Sequence, residues 1–243
     1  MSPAAPACPL SRAIVIGSSG SIGAALQRGL AAKGFNVTGL SRSPSAGMVG
    51  SEPLIDVTSE TSIEVAARLL ADKAPFSTII ITTGLLHDSD VSPEKALREL
   101  DEKSLMRLFA VNAVGPALVA KHFVALLPKH GRCIFAALSA RVGSIGDNHV
   151  GGWYGYRASK AALNMFIKTL AIELARTRPE AICVALHPGT VDSGLSKPFQ
   201  KSVPSGSLFS PDRAAAHLLD VIDQLTPAQS GRCFAWDGAE IGP

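Results

Sequence analysis

Arg12-Ala13-Ile14-Val15-Ile16-Gly17-Ser18-Ser19-Gly20-Ser21-Ile22-Gly23 is the stretch on which the fold turns. Its first five residues read as a short apolar strand. From Ser21 to Lys33 the pattern changes to a helical stripe of Ile22, Leu26 and Leu30, closed by Gly34. A glycine-rich turn between a strand and a helix lets backbone N–H groups approach a pyrophosphate. The helix N-terminus adds its partial positive charge there. The turn therefore predicts a dinucleotide site, with Gly17, Ser18, Ser19, Ser21, Ile22 and Gly23 as expected contacts.

The same alternation continues along the chain. Further strands are expected at 36–41, 53–57, 77–83, 132–138, 181–186 and 233–236. Helices are expected at 60–73, about 100–127 with a bend near Gly115-Pro116, 156–176 and 211–225. The strands are near-continuous apolar runs, as suits strands buried on both faces. The fold class is α/β: a Rossmann-type, doubly wound parallel sheet of about seven strands with helices on both faces. Residues 11–243 read as a single domain behind a Pro- and Ala-rich lead, 1–10, expected to be disordered.

The end of the second strand selects between cofactors. NAD sites place an acid there for the ribose 2′-OH, whereas an Arg accommodates the 2′-phosphate of NADP. Here the chain reads Gly39-Leu40-Ser41-Arg42-Ser43, with no acid. Ser41 and Arg42 are expected to hold a phosphate, which favours NADP over NAD. Asp56 and Val57, closing the third expected strand, join the cofactor residues.

A second stretch supplies chemistry. Trp153-Tyr154-Gly155-Tyr156-Arg157-Ala158-Ser159-Lys160 opens a long helix and puts Tyr156 and Lys160 on one face, four residues apart. An ammonium beside a phenol favours the phenolate, so the pKa of Tyr156 is expected to fall toward the range of useful acid–base catalysis. Tyr154 has Ala158 at the matching position and no such partner.

Composition narrows the classes. With 47% hydrophobic and 18% charged residues, the chain has enough apolar surface for a two-sided core, and a net charge of +3 without a basic stripe argues against nucleic acid. No apolar run reaches the roughly 18 residues of a membrane span, and the lead lacks the layout of a signal peptide. Cys133, Cys183 and Cys233 fall in expected strands, and no C-x-x-C or metal-spaced His pair occurs. Reduced thiols fit the cytoplasm. His87, His122, His130, His149 and His217 read as surface or core residues.

Together these residues resemble the short-chain dehydrogenase/reductase family over nearly the whole chain. The family's helix-borne Asn matches Asn112, its Ser after the fifth strand matches Ser139, and its Tyr-x-x-x-Lys matches Tyr156 and Lys160. Its Pro-Gly after the sixth strand matches Pro188-Gly189, followed by Thr190 and Val191 at the nicotinamide end. Thr83-Gly84-Leu85-Leu86-His87, the run Leu138 to Ile145 and Trp236-Asp237-Gly238 look closer to C-factor-like members, some of them linked to cell–cell signalling. The resemblance implies hydride transfer between a nicotinamide and a small carbonyl or alcohol substrate. Tyr156 would be the acid, Ser139 the ligand of the substrate oxygen, Lys160 the partner of Tyr156 and of the ribose, and Asn112 the holder of a relay water. It also implies a homodimer or homotetramer.

Three departures stand out. Ser21 replaces the usual middle glycine. Thr82-Thr83-Gly84-Leu85 replaces Asn-Asn-Ala-Gly, so bracing by Asn is missing, while Gly84 still allows close approach of the ribose. Ser139 lies 17 residues before Tyr156, farther than usual, with a glycine-rich loop from Gly143 to Gly155 taking up the excess and lining the pocket. Residues 191–210 read as a mobile apolar lid, with Phe199 and Trp153 as pocket walls, and no Arg or Lys marks a carboxylate site. Two other readings stay open: a cofactor-binding signalling protein with little turnover, and an epimerase or dehydratase on the same scaffold.

Overall fold

The computed structural model describes residues 11–43, 53–204 and 206–243, so the expected disordered lead and Cys8 lie outside the described residues. In chain order the elements are β1 (Arg12–Ile16), α1 (Ser21–Ala32), β2 (Asn36–Leu40), α2 (Glu60–Leu70), β3 (Thr78–Ile81), α3 (Glu102–Phe109), α4 (Gly115–Phe123), β4 (Cys133–Leu138), α5 (Tyr154–Thr177), β5 (Ala181–His187), β6 (Thr190–Val191), β7 (Leu208–Phe209), α6 (Pro211–Gln224), β8 (Cys233–Ala235) and β9 (Glu240–Ile241). Seven strands form one sheet in the order β2-β1-β3-β4-β5-β8-β9. All neighbours are parallel except the final β8–β9 pair, which is antiparallel. The order reverses between β1 and β3, so a crevice opens at the carboxyl ends of these strands.

The strands bury both faces. Ile14, Ile79, Phe135 and Cys183 point toward α2, α4 and α5, while Val15, Ile80, Ala136 and Val184 point toward α1 and α6. Phe123 and Phe135 are fully buried, each stabilising the fold by about 2–3 kcal/mol. Close helix packing needs small residues. A Cβ on Gly29 of α1 would lie 2.7 Å from Leu219 Cδ1 of α6.

Two expected features are corrected. Residues 53–57 are not a strand. Ile55 N–H donates to Ser41 O (3.0 Å), and the segment crosses the end of β2 as a cleft wall. Ile55 and Val57 are apolar because they are buried under α2 and α4, where Gly115 lets α4 approach Val57 O. The other correction concerns the long helix. Residues 102–126 form one helical run of 25 residues, apolar enough by composition to cross a membrane, with 44% of its most apolar window buried. Val119 and Phe123 of this run pack into the sheet side of the core. Gly115-Pro116, where a bend was expected, directly follows a π-helical turn, Ala110–Val114, that joins α3 to α4.

Candidate active site

The glycine turn is held by backbone bonds. Gly17 and Ser18 N–H donate to Leu40 O (2.8 and 3.1 Å), and Gly20 N–H donates to Gly17 O (3.0 Å). Gly17 sits at φ +91, and a Cβ there would lie 2.5 Å from Thr82 Oγ1. A Cβ on Gly23 would lie 2.2 Å from Gly17 O, so α1 reaches the turn only because residue 23 has no side chain. Ser21, in the place of the missing middle glycine, is exposed on the first turn of α1 and disturbs nothing. The bracing supplied elsewhere by Asn comes here from Thr82, whose hydroxyl reaches Ile16 O (2.9 Å) and Gly17 O (3.1 Å). The start of α1 has no side-chain cap, which leaves its N–H groups available to an anion.

A cleft of about 510 Å³ opens above this turn. It gathers Gly17, Ser19, Ser41, Arg42, Asp56, Val57, Thr83 and Gly84, as expected, and also Thr58, Asp88, Arg107 and Val111, which sequence reasoning missed. Ser21, Ile22 and Gly23 do not line it, and neither does Ser18. Its hydroxyl is fully buried without a partner, and its Cβ packs over Gly39 of β2. Bonds from Thr58 N–H (2.9 Å) and Oγ1 (2.7 Å) hold the Asp56 carboxyl below its ordinary range, with Arg42 adding to the effect. The positive-φ turn, uncapped helix start and close-approach glycines fit a dinucleotide pyrophosphate.

Asn112 sits in the π-helical turn, fully buried. Its Oδ1 accepts from Leu85 N–H (2.7 Å), and its Nδ2 donates to Leu85 O (2.7 Å) and Ser159 Oγ (3.0 Å). Both amide hydrogens therefore tie the loop after β3 to α5. Lys160 Nζ donates to Leu138 O (2.8 Å) and lies 5.9 Å from the centre of the Tyr156 ring. A Cβ on Gly84 would be 3.7 Å from Lys160 Nζ and 3.8 Å from Asn112 Oδ1, so Gly84 faces this pair. Tyr154, by contrast, is exposed at 41%.

The expected pKa shift of Tyr156 is reversed. Burial pushes the phenol up to about 12, and burial also pushes Lys160 down to about 8. Both groups sit out of water, which disfavours phenolate and ammonium alike.

Ser139 lies at the exit of β4, but its hydroxyl donates to Asn164 Oδ1 (2.7 Å) one turn beyond Lys160 on α5. The next residue, Ala140, packs instead against the cluster of Leu86, Val91, Leu108 and Tyr156. Both residues line a second cavity of about 730 Å³, together with Ile22, Tyr156, Pro188, Gly189, Thr190 and Val191. Trp153 and Phe199 are its walls as expected, their ring centres 5.0 Å apart, and Trp153 meets Tyr156 edge-on at 6.2 Å. Asp147 and Val150 bring in the glycine-rich loop, and Arg141, Arg157 and Lys201 place positive charge on the rim, where none was expected.

His187 also lines this cavity, and sequence reasoning passed over it although it directly precedes Pro188-Gly189. Its Nδ1 is buried without a partner, and burial pushes its pKa down from 6.5 to about 4, with Arg141 adding to the shift. The unfolded chain takes up this proton near pH 6.5 and the folded chain only near 4. Stability is thus present above 6.5 and falls as pH drops through that window. Urea melts should show a loss of about 3 kcal/mol across this window, and His187→Gln should flatten it. An unchanged slope in the variant would remove the assignment.

The chain matches the short chain dehydrogenase family over residues 11–203 and belongs to it. It is a NAD(P)-dependent dehydrogenase/reductase of the Rossmann type. Among its relatives, the 1-hydroxy-2-glutathionyl-2-methyl-3-butene dehydrogenase of Rhodococcus sp. (strain AD45) is 31% identical over 94% of this chain and 98% of its own. The C-signal protein of Myxococcus xanthus is 37% identical over 60% of this chain and 82% of its own, in line with the C-factor-like phrases. The fold is also that of an NADPH-bound carbonyl reductase from chicken fatty liver, with TM-score 0.82, 22% identity, and coverage of 97% and 100% of the two chains.

Proposed function

We propose that this protein is an NADP(H)-dependent carbonyl reductase or alcohol dehydrogenase in which Tyr156 is the proton donor. The observation that carries the reading is the placement of Tyr156 on the wall of the 730 Å³ cavity, with Lys160 behind it and facing Gly84. When bound, the nicotinamide supplies or accepts the hydride. A phenol at about 12 is fully protonated at neutral pH, which suits an acid that protonates the oxygen of a carbonyl being reduced. Lys160 orders the ribose end, Asn112 holds the loop after β3 in place, and Gly189, at φ +76, allows the backbone to pass close to the ring. Pro188, Thr190 and Val191 shape the same end. Ser139 serves the substrate oxygen once its bond to Asn164 is exchanged. The substrate is a small or medium carbonyl compound with an apolar body, matching the Leu86, Trp153 and Phe199 walls.

The preference for NADP rests on Arg42 and Ser41 at the end of β2, where no acid stands. Arg42→Ala should weaken NADPH binding by about tenfold to a hundredfold and NADH binding by less than threefold. Fluorescence titration with each cofactor reads this directly, and equal losses would return the choice to NAD.

A homo-oligomer is the proposed assembly. The exposed Phe166 of α5, with Pro116, Val124 and Leu170, lines a shallow groove between α4 and α5, and Met165 and Ile172 extend the apolar surface. The likeness to C-signal keeps a signalling role as the second reading; cofactor binding without turnover across a carbonyl screen would favour it.

A further inference from the structure

We infer that Glu94, a buried carboxylate outside the glycine-turn and Tyr-Lys motifs, is a positioning residue that caps the catalytic helix and sets the orientation of Tyr156. The inference rests on the reading of Tyr156 as the proton donor. α5 begins without a local cap: Trp153, at its N-cap, is left-handed (φ +53) and offers no side-chain hydrogen bond. Two left-handed glycines, Gly151 and Gly152, precede it. A helix start entered in this way leaves N–H groups to be satisfied by something else.

Glu94 satisfies them from far away in sequence. Its carboxylate accepts from Gly155 N–H, at 3.3 Å to one oxygen and 3.2 Å to the other, and its carbonyl accepts from Trp153 N–H. The side chain is only 3% exposed. A negative charge is favourable at this end of a 24-residue helix. The fit is tight, because a Cβ on Gly155 would lie 2.9 Å from Glu94 Oε1 and 2.7 Å from Leu108 Cδ1. Gly155 is therefore the residue that admits the carboxylate, and Tyr156 is its immediate successor.

The same segment forms the wall that Tyr156 leans on. Leu86 and Val91, a few residues before Glu94, pack with Leu108 against the phenol ring. Arg107 of α3 pins that loop through Asp88 (2.7 Å) and Asp90 (3.0 Å). Glu94 thus fastens the far end of the loop to the helix whose first turn carries the tyrosine. Without it, the left-handed entry and the ring are free to shift together, while Glu94 itself does not line the cofactor cleft, whose nearer wall keeps the Arg107–Asp88 ion pair.

Two substitutions separate this role from a purely structural one. Glu94→Gln keeps an acceptor for Gly155 N–H, whereas Glu94→Met fills the same space without one. Each is assayed for kcat with a carbonyl probe that the wild type reduces and Tyr156→Phe does not, for NADPH affinity by fluorescence, and for amide exchange at Gly155. The expected result is a kcat at least about tenfold lower in Glu94→Met, NADPH affinity within about twofold of wild type, and faster exchange at Gly155. Glu94→Gln should recover kcat to within about threefold. Native kcat in Glu94→Met would overturn the inference, as would equal losses in both variants or failure of both to fold. If the wild type turns over no carbonyl, or Tyr156→Phe retains turnover, the functional reading falls instead, and the exchange rate at Gly155 still decides whether Glu94 caps α5.

Discussion

Tyr156→Phe should lower kcat by about 10³-fold or more while leaving the dissociation constant for NADPH within about twofold. The phenol ring packs among Leu86, Val91 and Leu108, and Phe fills the same space. The ring also meets Trp153 edge-on at 6.2 Å, a contact that Phe keeps. The variant therefore isolates proton transfer from folding and cofactor binding. Steady-state kinetics beside a fluorescence titration make the comparison. Turnover within about tenfold of wild type would end the role given to Tyr156.

Gly23→Ala should have the second large effect. Its methyl would lie 2.2 Å from Gly17 O, 2.9 Å from Gly17 C and 2.8 Å from Thr82 Oγ1. The first two are backbone atoms of the turn, so no side-chain rotation relieves the clash. Either α1 retreats from the turn or the turn opens. NADPH affinity should fall by at least about a hundredfold, and the overpacking should cost about 3 kcal/mol, or about 6–12 °C in Tm. Ser21→Gly is the control: Ser21 is exposed, and restoring the commoner glycine there should change affinity little. Near-native NADPH binding by Gly23→Ala would mean that the turn does not carry the pyrophosphate.

The fold was legible because its signals are local. Strands buried on both faces read as apolar runs, and Thr78–Ile81, Cys133–Leu138 and Ala181–His187 fall within or beside their expected bounds. Where burial and strand pairing part company, the reading fails. The run at 53–57 is apolar because it roofs over the core, not because it pairs. β9 is two residues long, too short for a pattern, and its turn is made by Gly238, which is left-handed, with Ala239 O accepting from Ala235 N–H (2.8 Å).

By itself the sequence determined the alternation of strands and helices, the glycine turn, and the Tyr156–Lys160 spacing on one helix face. Each follows from steric or periodic rules that act within a few residues. Tertiary structure alone decided what those groups experience. It buried Tyr156 and Lys160 together and reversed the expected shift of the phenol, because desolvation depends on everything packed around a group and not on its helical neighbour. It turned Ser139 toward Asn164, let Thr82 replace the missing asparagine brace, and brought Glu94 across 61 positions to Gly155. Such contacts join side chains distant in sequence, and no local pattern records them.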